Sequence, residues 1–159
     1  EKNAYNDFMN QKNIYLSGNP ESTSRVKECY KIIFSNATYH CTINHNELEL
    51  FKYTINVFLA TKVSFFNEIK QLCDKLEISY DNVKELLHND HRIGNSHMNV
   101  PGHDGKFGFG GSCFPKDMNG LITSFKEQNL ECPTIEGAWK TNKNVRDKDW
   151  EELKGRAVI

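Results

Sequence analysis

Leu48 to Leu76 reads LELFKYTINVFLATKVSFFNEIKQLCDKL. Leu48, Phe51, Ile55, Phe58, Lys62, Phe65, Ile69, Leu72 and Leu76 follow one another at three- and four-residue steps, and eight of the nine are apolar. That spacing marks one face of an α-helix, and no strand alternation produces it. Leu59, Val63, Phe66 and Cys73 widen the face, and neither Gly nor Pro occurs between residues 47 and 78. A helix of nearly thirty residues is ~45 Å long at 1.5 Å per residue. One so long and so apolar is expected to lie buried between two layers or two subunits.

Shorter elements flank it. Asn13–Gly18 is an apolar run closed by the turn Gly18-Asn19-Pro20, which predicts a strand. Ser22 or Ser24 caps a predicted helix over about 25–34, with Val26, Tyr30 and Ile33 on one face. Ala37 to Ile43 reads as a second strand. Beyond the long helix, Ser79 and Asp81 open a short helix with Val83, Leu86 and Leu87 inward. His88 to Phe107 is irregular. Further helices are predicted from Pro115 to about Gln128 and from Pro133 to about Leu153. The fold class is therefore mainly α, a long central helix packed by shorter ones, with isolated strands at the two ends.

Composition bounds the function. The chain has 159 residues, 20 basic and 21 acidic side chains and a net charge of −1, which argues against a nucleic-acid surface. No apolar run approaches a membrane span, and EKNAYNDFMN holds no signal-peptide core. Cys29, Cys41, Cys73, Cys113 and Cys132 form no CxxC pair, so the simplest expectation is a reducing cytoplasm without disulfides or structural zinc. The six histidines show no metal-binding spacing, and no metal is assigned. The first residue is not Met, and Gly155–Ile159 reads as a strand just starting. The expectation is a piece of a longer polypeptide.

Gly108-Phe109-Gly110-Gly111-Ser112-Cys113-Phe114-Pro115-Lys116-Asp117 is the stretch richest in chemistry. Its glycines let backbone approach a ligand closely. Cys113 stands just ahead of a predicted helix N-terminus, and Lys116 lies within one turn; both favour thiolate. A nucleophilic cysteine needs that setting. The competing reading is a glycine loop with a buried structural cysteine. Cys73, on the helix stripe, is expected in the core. Lys52 and Asn56 share a face of the long helix, either as its solvated flank or as a lysine and an amide projecting into a site. Arg92 precedes the glycine loop as a surface cation or an anion contact.

GFGGSCFPKD closely resembles the catalytic-cysteine motif of the UDP-glucose 6-dehydrogenase family. ELELFKYTIN (47–56) is similar to that family's helix bearing Lys and Asn four apart. His91-Arg92-Ile93-Gly94 resembles its "RIG" segment, and Glu1 with Asn3-Ala4 resembles the end of its "EFLREGNA" strand and loop. The resemblance runs along essentially the whole chain. It implies oxidation of a nucleotide sugar at C6, from alcohol through aldehyde to carboxylate, with two NAD. By the same resemblance Cys113 attacks the aldehyde and later carries a thioester, and Asp117 positions or activates water. Lys52 and Asn56 hold the C6 oxygen. Gly108, Phe109 and Gly110 line the substrate, and Arg92 reaches it across a subunit boundary. Glu1 and Lys116 match positions near the cofactor or substrate, as Cys113 does near the cofactor.

The implied organisation is 1–44 as the end of a Rossmann-type NAD-binding domain, 45–153 as a central helical dimerisation domain, and 154–159 as the start of a UDP-binding domain. The GxGxxG loop and the first glutamate of EFLRE are absent, so the piece alone is expected to be inactive. Asn99–Phe107 is a long loop whose register against the family stays open. GDP-mannose and UDP-N-acetylmannosamine dehydrogenases share the architecture. The alternative from another class is a non-catalytic homodimerisation module built on the long helix.

Overall fold

The computed structural model describes residues 4–152. Glu1 and the expected strand at 155–159 lie outside them, as does the proposed third segment. The chain falls into two compact units, Glu1–Lys52 and Tyr53–Ile159. That division runs within the long helix, eight residues beyond the boundary expected at 44.

The first unit runs α1 (Ala4–Met9), β1 (Asn13–Ser17), α2 (Pro20–Lys31) and β2 (Thr38–Thr42). The strands pair in parallel, Asn13 opposite Thr38 through Ser17 opposite Thr42, and α2 makes the crossover that parallel pairing requires. The cap of α2 differs from expectation. Asn19 accepts from the Ser22 N–H at 2.8 Å, and Pro20 takes the first helical position. Asn19-Pro20 thus starts a helix five residues before the expected Arg25, because proline's missing N–H costs nothing there. Ile14 and Phe34 are buried, with Phe8 edge-on to Phe34 at 5.2 Å. Val26, Tyr30 and Ile33, expected on one face, are exposed.

α3 spans His45–Lys75, confirming the long helix. α4 (Tyr80–His88), α5 (Cys113–Glu127), α6 (Pro133–Val145) and a 3-10 turn (Asp149–Glu152) complete the second unit. Ser79 caps α4 as expected, accepting from the Asn82 N–H at 3.3 Å. The last helix stops at Val145, earlier than expected, because the Arg146 backbone is extended.

Within this chain the buried face of α3 is not the Leu48–Leu76 row but one that takes in Phe66 and Cys73 of the second row. Val57, Ala60, Ser64 and Asn67 are buried, while Phe58, Phe65, Leu72 and Leu76 are 54–66% exposed. Small residues decide this. Ala60 and Ser64 let α6 close in until the Ser64 hydroxyl donates to the Ala138 carbonyl at 2.7 Å. Phe58 and Phe65 point the other way and stay more than half exposed. Leu86, expected inward on α4, is also exposed.

Two clusters make the core of this unit. Val57 and Ala60 pack with Phe109, Met118, Leu121 and Ile122. Phe66, Cys73, Tyr80, Met98 and Val100 form the second, where Cys73 is core as expected. There the Tyr80 hydroxyl donates to the Met98 carbonyl at 2.5 Å, and burial pushes its pKa to about 12.

Candidate active site

α5 begins at Cys113, two residues before the expected Pro115, so the thiol belongs to the first residue of the helix. It is exposed, with the Ser112 hydroxyl 3.8 Å from Sγ. The structure thereby excludes the buried-cysteine reading. The positive end of a 15-residue helix favours negative charge developing there.

One turn further on, Asp117 is 1% exposed. Its Oδ2 accepts from Asn56 Nδ2 at 2.5 Å, and Oδ1 takes a very short ion pair from Lys116. Lys116 also lies over the Tyr53 ring, 5.4 Å from its centroid. The Asp117 hydrogen bond is the main force raising the Lys116 pKa, against partial desolvation, so the ammonium stays charged. Asn56 and Asp117, 61 residues apart in sequence, are thus brought together by the fold. The carboxylate itself is enclosed, and its visible work is to anchor the amide and the ammonium.

Other assigned residues divide. Lys52 is exposed and belongs to the first unit. Arg92 makes a two-point pair with Asp90, Nε to Oδ1 at 2.9 Å and Nη2 to Oδ2 at 2.5 Å, on a side chain 79% exposed. No described contact joins it to the glycine loop.

The glycine loop is held by side chains that the sequence reading passed over. The Gly108 N–H donates to Asn67 Oδ1 at 3.0 Å. Asn142 holds Phe109 at both backbone groups, accepting from its N–H at 2.7 Å and donating to its carbonyl at 3.0 Å. Arg146 reaches the Phe107 carbonyl at 3.3 Å and pairs with Asp104 and Asp149, each at 2.7 Å. Nothing in one sequence flags these residues, since a polar position within a helix normally faces water.

Asp149 yields a pH test. The Arg146 hydrogen bond, opposed by burial and aided by Lys106, lowers its pKa to about 2. Asp104, which shares Arg146 Nη2 with Asp149, is also lowered: burial pushes it up, but hydrogen bonds from Arg146 and the Lys106 N–H outweigh that. A carboxylate with a depressed folded-state pKa stabilises above its unfolded value, ~4, and that contribution disappears as pH falls towards 2. Asp149→Asn should therefore be less stable than wild type at pH 6. The gap should close between pH ~4 and ~2 in denaturant titrations. A constant gap down to pH 2 would show that the ion pair does not carry it.

Among the described residues no cluster of His, Cys, Asp and Glu could hold a metal, and no helix is long and apolar enough to cross a membrane.

The exposed Cys113 thiol and the Asp117–Asn56 pair stand one turn apart along α5, and comparison gives the family. Residues 46–144 match the UDP-glucose/GDP-mannose dehydrogenase family, central domain. The chain belongs to that family. UDP-glucose 6-dehydrogenase of Rickettsia prowazekii is 32% identical over 144 residues, 90% of this chain and 32% of its own length. That of Pseudomonas aeruginosa is 30% identical over 154 residues, 96% of this chain and 33% of its own. A solved UDP-glucose dehydrogenase from Pyrobaculum islandicum superposes with a TM-score of 0.79 at 32% identity, over 89% of this chain and 31% of that one. The chain spans about a third of the length of these relatives.

Proposed function

We propose that this chain carries the central part of a nucleotide-sugar dehydrogenase that oxidises UDP-glucose to UDP-glucuronate, with Cys113 as nucleophile. The observation that carries the reading is an exposed cysteine at the first residue of α5, one turn from Asp117 bonded to Asn56. The C6 alcohol loses a hydride and a proton to give an aldehyde. Cys113 sulfur adds to the aldehyde carbon while the aldehyde oxygen gains a proton, and the resulting thiohemiacetal loses a second hydride and that proton to leave a thioester. Water adds to the thioester carbonyl, the C–S bond breaks, and carboxylate and free thiol result.

Oxyanions form in the addition and hydrolysis steps, and donors aimed at such charge are the main source of rate. Asn56 is suited to this, since its amide nitrogen carries a second hydrogen beyond the one given to Asp117. Lys52, four residues earlier on α3, is assigned to the same oxygen by resemblance. Gly108–Gly110 backbone lines the sugar, and Arg92 serves a neighbouring subunit's substrate.

Two NAD, bound in turn, would each accept one hydride. An exposed thiol and a lysine tied to Asp117 fit the edge of such a group, and the resemblance assigns Cys113, Lys116 and Glu1 to its neighbourhood. The uncovered stripe of α3 supports a homodimer built on this helix.

The first test is alkylation of the folded chain by iodoacetamide at pH 7, followed by peptide mass spectrometry. Cys113 should react ~10-fold or more faster than exposed Cys29 and Cys41, as activated thiols do. Equal rates at the three sites would remove Cys113 as nucleophile and favour the dimerisation module.

A further inference from the structure

We propose that Asn142 of α6, Arg146 just past its end and Asn67 of α3 are the positioning residues that set the backbone of the catalytic loop ahead of Cys113. The inference rests on the reading of Cys113 as nucleophile and adds residues that touch no reacting atom.

Residues 102–112 include no helix or strand, so their backbone groups need side-chain partners wherever they are buried. Gly108 and Phe109 are buried. Asn142, fully buried, satisfies both backbone groups of Phe109. Asn67, 1% exposed, takes the Gly108 N–H and gives its own amide to the Val63 carbonyl at 2.8 Å. Neither amide has a free choice of partner, so the loop has one seat.

Arg146 follows the last residue of α6, and its N–H donates to the Asn142 carbonyl at 3.0 Å. Its side chain is 4% exposed and holds Asp104, Asp149 and the Phe107 carbonyl, while Lys106 pairs with Asp149 at 2.9 Å. The segment before the glycines is thereby tied to the same helix end.

Two of the motif's glycines follow from this arrangement. A Cβ on Gly108 would overlap Asn142 Oδ1, and one on Gly110 would overlap the Arg146 guanidinium. Around Gly111, with φ +74°, a Cβ would meet nothing within 4 Å. At Gly108 the close approach is to α6 and at Gly110 to the residue that follows it. From there only Gly111 and Ser112 separate the fixed backbone from the thiol.

Amide exchange read by NMR on the whole chain tests the proposal. In Asn142→Ala the amides of residues 108–111 should exchange ~10-fold or more faster, with α4 and the Tyr80 cluster unchanged, as expected for a local opening. Asn142→Asp keeps an acceptor for the Phe109 N–H and should fall between. Arg146→Lys should loosen 102–107 first. Cys113 alkylation relative to Cys29 should shift ~3-fold or more in Asn142→Ala, an effect that loss of global stability alone does not produce. Uniform acceleration, or no change at 108–111, would overturn the proposal. If Asn142→Ala does not fold, Asn142→Asp and Arg146→Lys carry the same comparison. If wild-type Cys113 proves unreactive, the nucleophile reading fails, while exchange still judges the loop's anchorage.

Discussion

Gly108→Ala is expected to destabilise the second unit by ~4 kcal/mol, from a backbone term of ~1–2 and an overlap term of ~1–3 kcal/mol. The backbone sits at φ +67°, where an L side chain is strained, and the new Cβ would overlap Asn142 Oδ1. Val145 Cγ2 at 3.1 Å and Arg146 Cβ at 3.3 Å close the other directions. If the loop retreats to relieve the overlap, the bonds to Asn67 and Asn142 stretch instead, and each buried group left unpaired costs ~1–3 kcal/mol. Domains are stable by only ~5–15 kcal/mol, so a sizeable share would be lost. Urea unfolding followed by tryptophan fluorescence measures it, because Trp139 stacks on Phe109 at 5.8 Å and reports on the loop directly. Gly111→Ala is the control: φ is +74° there but the space is open, so only the backbone term of ~1–2 kcal/mol should appear. Equal losses at the two glycines would mean that backbone strain alone, and not contact with α6, explains the motif.

Phe58→Asp is expected to abolish self-association at micromolar concentration. Phe58, Phe65 and Leu72 recur at seven-residue intervals on α3 and are 66%, 54% and 54% exposed. A seven-residue apolar repeat is the pattern with which one helix packs along another. Leu76 at 59% and Ile55 at 42% widen the stripe. Scattered exposed apolar residues need no explanation, but a continuous row marks an interface. In a two-fold dimer each side chain is buried twice, once per copy. Burying one Phe is worth ~1.5–3 kcal/mol, so removing two costs ~3–6 kcal/mol, or ~10²–10⁴ in Kd. The aspartate adds the expense of burying an unpaired charge. Light scattering over a dilution series reads the result. Wild type should remain dimeric and Phe58→Asp monomeric, with Leu86→Asp, exposed on α4, leaving the mass unchanged. A wild-type chain that is monomeric throughout would remove α3 as the dimer contact.

These two expectations arise on opposite sides of one helix, and they show where sequence reading stops. The periodicity over Leu48–Leu76 establishes a helix, because helical spacing depends only on neighbours three and four residues away. It does not say which of two apolar rows the chain covers itself. That choice fell to Ala60 and Ser64, whose small side chains admit α6, and it left the larger aromatic row outward. Cap chemistry was likewise local where Ser79 starts α4. It does not settle α2, where Asn19-Pro20 reads as a turn although the same pair opens a helix equally well.

The sequence by itself determined the mainly helical class, the family through GFGGSCFPKD and its companion segments, and Cys113 as the residue to examine. Tertiary structure alone decided that Asp117 is enclosed and bonded to Asn56, and that Asn67, Asn142 and Arg146 hold the glycine loop. The reason is physical. A motif such as this records the residues that one short stretch must contain. The buried amides that seat it lie 33 and 41 positions away, and only folding makes a polar residue within a helix the partner of a loop.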